Sequence, residues 1–174
     1  MHNRAMSLHE RIAAVGWPAA TRSAIIDRLE TLGLSADVVA IGWATVDAER
    51  VAGGAELESR PRDPHVGATA SILAVPPRLD AATEAATEAA TVVLLEPDTE
   101  GRLAATLARS GEGPAVLYLE VGADGLESAR TAIRRRGGSS SVVLDGPFGR
   151  STLLLGEVPW GPHLILVEAG TIAG

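Results

Sequence analysis

The sequence predicts an α+β fold made of two similar halves, each with a strand, a helix and further strands in that order. Two observations predict it. Matching apolar runs that close on a glutamate, Val92–Glu96 and Leu164–Glu168, end the two halves. The distance from the first strand to this glutamate is also alike, at 50 positions from Val46 and 47 positions from Val121. Self-similarity of this kind indicates an internal duplication.

Length, charge and missing residue types exclude several classes of protein. The 174 residues suit one domain with a real core. The absence of cysteine excludes disulfide frameworks, thiolate metal sites and a cysteine nucleophile. All 15 basic residues are arginines, which excludes a Schiff-base or P-loop lysine, and the net charge of −7 disfavours nucleic acid as a partner. Without a membrane-length apolar run or a secretory pattern, we expect a cytoplasmic protein that does not contact membranes.

Residues 1–35 are predicted to form an N-terminal helical extension. A capping box at Ser7–Glu10 begins a first helix that runs to Val15. Pro18 suits the first turn of a second helix, and Gly33 suits its end. The apolar stripe of this second helix is formed by Ile25, Ile26, Leu29 and Leu32.

Residues 36–97 are predicted to form the first repeated unit. Its expected elements, in order, are a strand at Val38–Val46, a helix from Asp47 through Leu57, a loop at Arg60–Pro64, and strands at Gly67–Val75 and Thr91–Glu96. Gly53 and Gly54 weaken that helix because glycine disfavours a helix interior.

A connecting helix at residues 98–113 leads into the second unit, residues 114–174. This unit is predicted to contain a strand at Ala115–Val121, a helix capped by Asp124 that ends at Arg134–Arg136, and strands at Ser141–Asp145, Ser151–Gly156 and Pro162–Glu168. Three arginines at a helix C-terminus complement the helix dipole, so we interpret them as structural rather than as a nucleic-acid patch.

The order of these segments resembles the vicinal oxygen chelate superfamily, which includes glyoxalases, methylmalonyl-CoA epimerases, extradiol dioxygenases and bleomycin-resistance proteins. The resemblance covers residues 37–169 and depends on Leu94–Pro97, Gly111–Pro114, the strand that follows, and Gly161–Glu168. It implies two βαβββ modules that form a cupped mixed sheet around a pocket.

Members of that superfamily usually bind a divalent metal through four side chains, one on the first and one on the last strand of each module. The resemblance places these positions on Ile41, Val93, Val116 (with Ala115 as the alternative) and Ile165. Aliphatic side chains have no lone pair to donate, so we expect neither the metal nor another cofactor. Glu96 and Glu168 lie three residues beyond Val93 and Ile165, and this odd offset predicts that they face the opposite side of the sheet.

Strand alternation predicts which side chains face a metal-free cup. Val116, Tyr118 and Glu120 share one face of their strand, and His163, Ile165 and Val167 share one face of the last strand. In the first strand the predicted cup face is Val39, Ile41, Trp43 and Thr45, with Ala40, Gly42 and Ala44 behind it. The predicted ligand-binding residues are Ile41, Trp43, Thr45, Val93, Val116 and Ile165.

The candidate catalytic residues are His163, Glu120 and Tyr118. An imidazole titrates near neutral pH, and an apolar surrounding raises the pKa of a glutamate toward that range. Each has a plainer alternative: His163 as a turn histidine, Glu120 as a solvated strand-end residue, and Tyr118, like Trp43, as ordinary core. His65 follows Asp63 and Pro64 in a predicted loop, where we expect it to be exposed.

These residues favour a metal-independent isomerase, cyclase or lyase that acts on an apolar metabolite, as in secondary metabolism. Two alternatives stay open: a binding protein that sequesters a ligand, as in antibiotic resistance, and a non-catalytic scaffold with a filled cup. A cavity beside Val116 and Ile165 would favour the enzyme or the binding protein, and the absence of such a cavity would favour the scaffold. The expected partners are a small-molecule ligand and a second copy of the chain in a homodimer.

Overall fold

The computed structural model describes residues 17–73, 91–122, 124–156 and 162–168. Its first helix, α1 (Ala19–Leu32), buries Ile25, Leu29 and Leu32 and ends at Gly33, which has a left-handed backbone with φ of 61°. The extension is therefore helical where it is described. The predicted helix from Ser7 to Val15 lies outside the described residues.

The first module has the predicted order of elements with one addition. It contains β1 (Ala36–Ala44), α2 (Ala48–Ala52), β2 (Leu57–Asp63), β3 (Ala68–Leu73) and β4 (Thr91–Pro97). The predicted helix through Leu57 is wrong in length, because Gly53 takes a positive φ and ends α2 at Ala52. The predicted loop at Arg60–Pro64 is largely the end of strand β2.

The second module follows the connecting helix α3 (Arg102–Ser110). It contains β5 (Gly113–Val121), α4 (Gly125–Arg135), the short strands β6 (Ser139–Ser140) and β7 (Leu144–Gly146), β8 (Gly149–Leu155) and β9 (His163–Glu168). Asp124 precedes α4 but makes no side-chain capping bond there, contrary to prediction. None of the helices in the described residues is long and apolar enough to cross a membrane.

The strands form one mixed sheet in the order β2-β3-β4-β1-β5-β9-β8-β6, with β7 paired to β8. Within each module the last strand lies parallel to the first, β4 to β1 and β9 to β5. The modules join through the antiparallel pair β1 and β5. This arrangement confirms the predicted α+β class and the duplicated βαβββ order.

Helices cover the outer face of the curved sheet. One apolar cluster joins α1 and α4 to Leu117, Leu119 and Leu164, and another joins α2 to β4. A third cluster fills the interior, where Val93, Val116 and Ile165 meet. Helix α3 adds Leu103 to this interior and lies across the end of the sheet where β1 and β4 finish and β5 and β9 begin.

A bulge in β1 changes which residues of that strand face inward. The pairing with β5 shifts between Val38 and Ala40, so that Val39 is the extra residue. Ala40 and Ala44 therefore lie in the interior cluster, whereas Ile41 packs with the α1 and α4 cluster and Trp43 with the α2 cluster. The predicted inward face of the first strand is wrong for Ile41 and Trp43.

Candidate functional site

Three of the four positions predicted for metal ligands lie in the packed interior. Val93, Val116 and Ile165 are 0% exposed there, whereas Ile41 is buried on the helix side. The predicted inward face is confirmed for Val116 and Tyr118 of β5 and for Ile165 and Val167 of β9, whose neighbours Leu117 and Leu166 pack under the helices. Alternation fails at the start of β5, where Ala115 lies in the interior beside Val116. Large aliphatic side chains therefore occupy the centre of the cup.

His163 lies at the start of β9 beneath helix α3 and is 6% exposed. Its Nε2 atom is 3.1 Å from the hydroxyl oxygen of Thr106, and that hydroxyl also lies 2.9 Å from the carbonyl oxygen of Arg102. Burial, and next the charge of Arg102, lower the pKa of His163 to about 4. The imidazole is therefore neutral near pH 7.

The structure does not bring Glu120 to His163. In the ladder between β5 and β9, His163 lies opposite Val116 and Glu120 opposite Val167. Four residues along a strand correspond to roughly 13 Å. Glu120 is half-buried near the other end of the strand. The expected pair of proton-moving groups is not assembled.

Thr45 is fully buried at the end of β1 and takes part in a polar cluster rather than in a ligand pocket. Its hydroxyl donates to Oε1 of Glu112 at 2.6 Å, and this carboxylate also accepts from Val46 N at 3.0 Å and from Arg50 at 2.6 Å. The Thr45, Arg50 and Val46 bonds lower the pKa of Glu112 to about 2. Sequence reasoning missed Glu112, which belongs to the turn after α3.

Tyr118 is buried in the interior, and its hydroxyl donates to Oδ2 of Asp63 at 2.6 Å. Its ring meets that of Phe148 edge to face, with centroids 4.9 Å apart. Burial, reinforced by the Asp63 carboxylate, raises the pKa of Tyr118 well above its ordinary value. The phenol is thus a fixed hydrogen-bond donor.

The expectation that His65 is exposed is wrong. The side chain is 5% exposed, with Nε2 3.1 Å from the carbonyl oxygen of Ser151 and Nδ1 3.3 Å from Ser141 Oγ. Asp63 Oδ1 accepts the His65 backbone N–H at 2.9 Å, which forms an Asx turn. The sequence Asp63-Pro64 predicts this turn, but it does not indicate that β7 and β8 cover His65.

The structure is consistent with the prediction that Glu96 and Glu168 face the side of the sheet opposite to Val93 and Ile165. Glu96 Oε1 accepts from Ala48 N at the start of helix α2, which lies on the outer face. Glu168 forms an ion pair with Arg150 at 2.9 Å. Both carboxylates are therefore used away from the interior.

A cleft of about 420 Å³ lies at the α3 end of the sheet. This volume falls within the range of small-molecule sites. Its lining residues are Trp17, Pro18, Thr21, Thr106, Ser110, Gly111, Glu112, Gly113, Pro114, Ala115 and Pro162. A second cavity, of about 170 Å³, lies between the end of α1 and the start of α4. Neither of these two cavities touches Val116 or Ile165, which are fully buried in the described part of the chain.

The cleft joins residues that the sequence did not group together. Trp17 forms one side, and its indole Nε1 donates to the carbonyl oxygen of Pro114 at 3.2 Å. Thr106 contributes the hydroxyl that lies against His163, and Glu112 contributes its carboxylate. None of the six predicted ligand-binding residues lines this cleft.

Solved structures share this fold at low sequence identity. Methylmalonyl-CoA epimerase from Mycobacterium tuberculosis is 21% identical, with 76% of this chain and 87% of that chain covered and a TM-score of 0.58. A Streptomyces coelicolor methylmalonyl-CoA epimerase variant in complex with 2-nitronate-propionyl-CoA is 22% identical, with 80% and 99% covered and a TM-score of 0.59. The chain has the vicinal oxygen chelate fold. A hypothetical protein from Bacillus halodurans C-125 is 19% identical, with 80% and 99% covered and a TM-score of 0.57.

Sequence comparison assigns no family to the chain. No family model matches the chain, and no curated protein matches it significantly. The assignment to the vicinal oxygen chelate fold therefore rests on structure.

The vicinal oxygen chelate fold implies a divalent metal, and the interior residues at the predicted ligand positions do not fit one. Val93, Val116 and Ile165 offer no lone pair, and the bulge in β1 places Gly42 rather than Ile41 beside Val116. In the described parts of the chain, no three histidine or carboxylate side chains are grouped so that they could hold an ion.

Proposed function

We propose that the chain is a small-molecule enzyme of the isomerase class that moves a proton without a bound metal. The observation that favours this function is the Thr106 hydroxyl, which lines the cleft and lies 3.1 Å from Nε2 of His163. The fold shared with methylmalonyl-CoA epimerases supports the same class of reaction. The proposed site therefore lies in the cleft at the end of the sheet rather than in its filled interior.

The chemistry follows from the two bonds of Thr106. Its oxygen has Arg102 O at 2.9 Å and His163 Nε2 at 3.1 Å, so its proton has two acceptors within reach. When the Thr106 oxygen takes a proton from a ligand, the Thr106 hydroxyl gives its own proton to the neutral imidazole of His163. The same path returns a proton to another position of the ligand. The net reaction shifts one proton and needs no second reactant.

Thr106 is the group that contacts the ligand in this proposal, and His163 acts through it as a positioning residue. Positioned acid–base groups contribute about 10²- to 10⁴-fold to a rate. The neighbouring carboxylate of Glu112 is already bound by Thr45, Val46 and Arg50. We therefore propose that Glu112 shapes the wall of the cleft and takes no part in proton transfer.

Deuterium exchange in D₂O tests this function, with NMR detection and methylmalonyl-CoA as the first substrate of a panel of carbonyl compounds. We expect exchange at the carbon next to the carbonyl, and we expect it to persist in EDTA. Thr106→Val and His163→Gln should lower the exchange rate at least ~100-fold while ligand binding remains. Thr69→Val, at an exposed threonine of β3, is the matched control.

Equal exchange by Thr106→Val and the unmodified protein would contradict the role of the hydroxyl. Exchange that stops in EDTA and returns with a divalent metal would contradict metal independence. A substrate from secondary metabolism, a homodimer and a cytoplasmic location stay predictions.

A ligand-sequestering protein is the second candidate. The observation that favours it is the separation of His163 from Glu120, which leaves one proton-moving group where two were expected. It predicts saturable binding in the cleft, measured by calorimetry, without exchange of any ligand proton in D₂O.

A further inference from the structure

The cleft under α3 has one charged side chain among the described residues that line it, that of Glu112. The other described lining residues are uncharged, and none of them is an arginine. A fixed charge in the wall of a cleft attracts ligands of opposite charge and repels those of like charge. The carboxylate of Glu112 therefore bears directly on which ligands the cleft accepts.

Three donors from the first module hold this carboxylate in place. Oε1 accepts from the hydroxyl of Thr45 at 2.6 Å, from Val46 N at 3.0 Å and from Arg50 at 2.6 Å. These bonds keep the pKa of Glu112 at about 2, so the group is ionised throughout the neutral pH range. The cleft wall thus carries a permanent negative charge at a defined position.

The bonds of Glu112 leave room for a ligand. Oε2 accepts from Arg50 at 2.6 Å, and no other described residue donates to it. The two oxygens of a carboxylate offer about four acceptor directions, so Oε2 can accept from one further donor. The side chain of Glu112 also keeps 31% of its surface exposed.

Two positive charges near the wall oppose that of Glu112, and neither is equal to it inside the cleft. The guanidinium of Arg50 pairs with the carboxylate, but Arg50 is not among the lining residues and its side chain is 54% exposed. The first turn of α1 borders the cleft through Pro18 and Thr21, and a helix N-terminus carries about half a unit charge. The full charge of Glu112 therefore dominates.

Trp17 places an aromatic ring in the same wall. Its indole Nε1 donates to the carbonyl oxygen of Pro114 at 3.2 Å, two residues after Glu112, so the ring and the carboxylate belong to adjoining parts of the wall. The face of a tryptophan ring attracts a cation within about 6 Å. A carboxylate beside an indole is a suitable environment for an ammonium group.

We propose that the cleft selects ligands that carry an ammonium group, with Glu112 as the residue that determines this specificity. The substrate would then be a carbonyl compound that bears an ammonium group, an extension that rests on the proposed isomerase function. Thr106 and Glu112 line the same cleft of about 420 Å³, so one small molecule can contact both.

Three probes with one carbon skeleton test the selection: 3-methylbutylamine, 3-methylbutanol and 3-methylbutanoate. Their affinities are measured at pH 7 by NMR titration of the Trp17 indole N–H. We expect the amine to bind about tenfold more tightly than the alcohol, which is typical of one hydrogen bond to a charged group. The carboxylate should bind most weakly.

Glu112→Gln should remove the preference for the amine, because the amide can still accept from Thr45 and Val46 but carries no charge. Glu168→Gln is the matched control, since Glu168 is also paired with an arginine and about equally exposed, at 30%, but does not line the cleft. It lowers the negative charge of the protein by the same amount and should keep the preference.

Arg50→Gln provides a second variant if Glu112→Gln does not fold. It removes the cation that competes with the ligand, so the amine should bind more tightly than to the unmodified protein. Unchanged amine affinity in Arg50→Gln would overturn the proposal. So would equal binding of amine and alcohol by the unmodified protein, a preference for the amine that persists in Glu112→Gln, or tightest binding of the carboxylate.

These outcomes are separate from those of the proposed function. None of the three probes is a ketone or an aldehyde, so their binding does not depend on proton transfer next to a carbonyl group. A preference for the amine without deuterium exchange in any substrate would support the charge selection and contradict the isomerase. Exchange without a preference for the amine would contradict the charge selection alone.

Discussion

His163 is a residue whose role depends on what covers it. The sequence places it between a proline and a strand, and the interpretations as a proton carrier and as a turn histidine use the same residues. The structure adds helix α3 above it, and Thr106 then becomes its partner at 3.1 Å. A long-range contact of this kind, 57 positions apart in the chain, has no local signal.

The lowered pKa of His163 predicts how stability changes with pH. Its folded pKa of about 4 lies below the unfolded value of 6.5, so the unfolded chain binds a proton that the folded chain excludes. The free energy of unfolding should be greatest above pH 6.5 and fall toward pH 4, by about 2 kcal/mol at pH 5. Urea unfolding at pH 7 and pH 5 measures this change.

The comparison with His163→Gln isolates the residue. The variant should lose less stability between pH 7 and pH 5 than the unmodified protein, because one of the two histidines that are buried in the described part of the chain is gone. Glu112 does not interfere, since its lowered pKa of about 2 makes its contribution disappear only below about pH 4.5. The same slope in both proteins would show that His163 is accessible to protons when folded.

At the scale of elements, periodicity located the strands but not their irregularities. The faces of β5 and β9 were predictable from alternation, because neither strand is interrupted where they pair. In β1 one extra residue at Val39 reverses the face of every later residue, and no residue type marks that bulge. Strand β2 was missed because Glu58, Arg60 and Arg62 lack the apolar alternation of a core strand.

Two helix ends offer a matched test of a contact between elements. Gly33 ends α1 with φ of 61° and Gly53 ends α2 with φ of 59°. A methyl group at Gly53 would meet nothing within 4 Å, whereas one at Gly33 would lie 1.9 Å from Nη1 of Arg136. That guanidinium donates to the carbonyl oxygen of Thr31 at 3.2 Å, so it binds the end of α1 to the end of α4.

Gly33→Ala should therefore cost more stability than Gly53→Ala. Both variants incur about 1 kcal/mol for a left-handed alanine. Gly33→Ala also displaces Arg136 and loses its hydrogen bond, which adds about 0.5–1.5 kcal/mol. In an Arg136→Ala background the extra cost should vanish, as a double-mutant cycle in urea would show. An unchanged extra cost would mean that Arg136 does not brace α1.

The whole molecule differs from the predicted one in the use of its interior. Duplication was visible in the sequence because each module repeats its strand order and spacing. The sequence did not show whether the cup is open. That depends on the curvature that brings β2 to β7 and on side chains such as Phe148, which come from turns distant in the sequence. The candidate site consequently moved from the centre of the cup to the cleft under α3.

The junction of the modules is tightly packed at Gly42. Gly42 of β1 lies opposite Val116 of β5, and a methyl group there would sit 2.7 Å from Val116 Cβ and 2.6 Å from Leu95 Cδ1. Gly42→Ala should therefore overpack the junction and lower the free energy of unfolding by about 1–3 kcal/mol. Gly122→Ala, where a methyl group would meet nothing within 4 Å, is the control and should change it by less than about 0.5 kcal/mol.

Because β1 and β5 join the two modules along their full length, the loss at Gly42 should be shared by both halves. Urea unfolding of Gly42→Ala followed by tryptophan fluorescence and by circular dichroism should give one coincident transition at a lower urea concentration. Two separate transitions would mean that each module is stable without the other. The packed interior between them would then not be the common core that this sheet order implies.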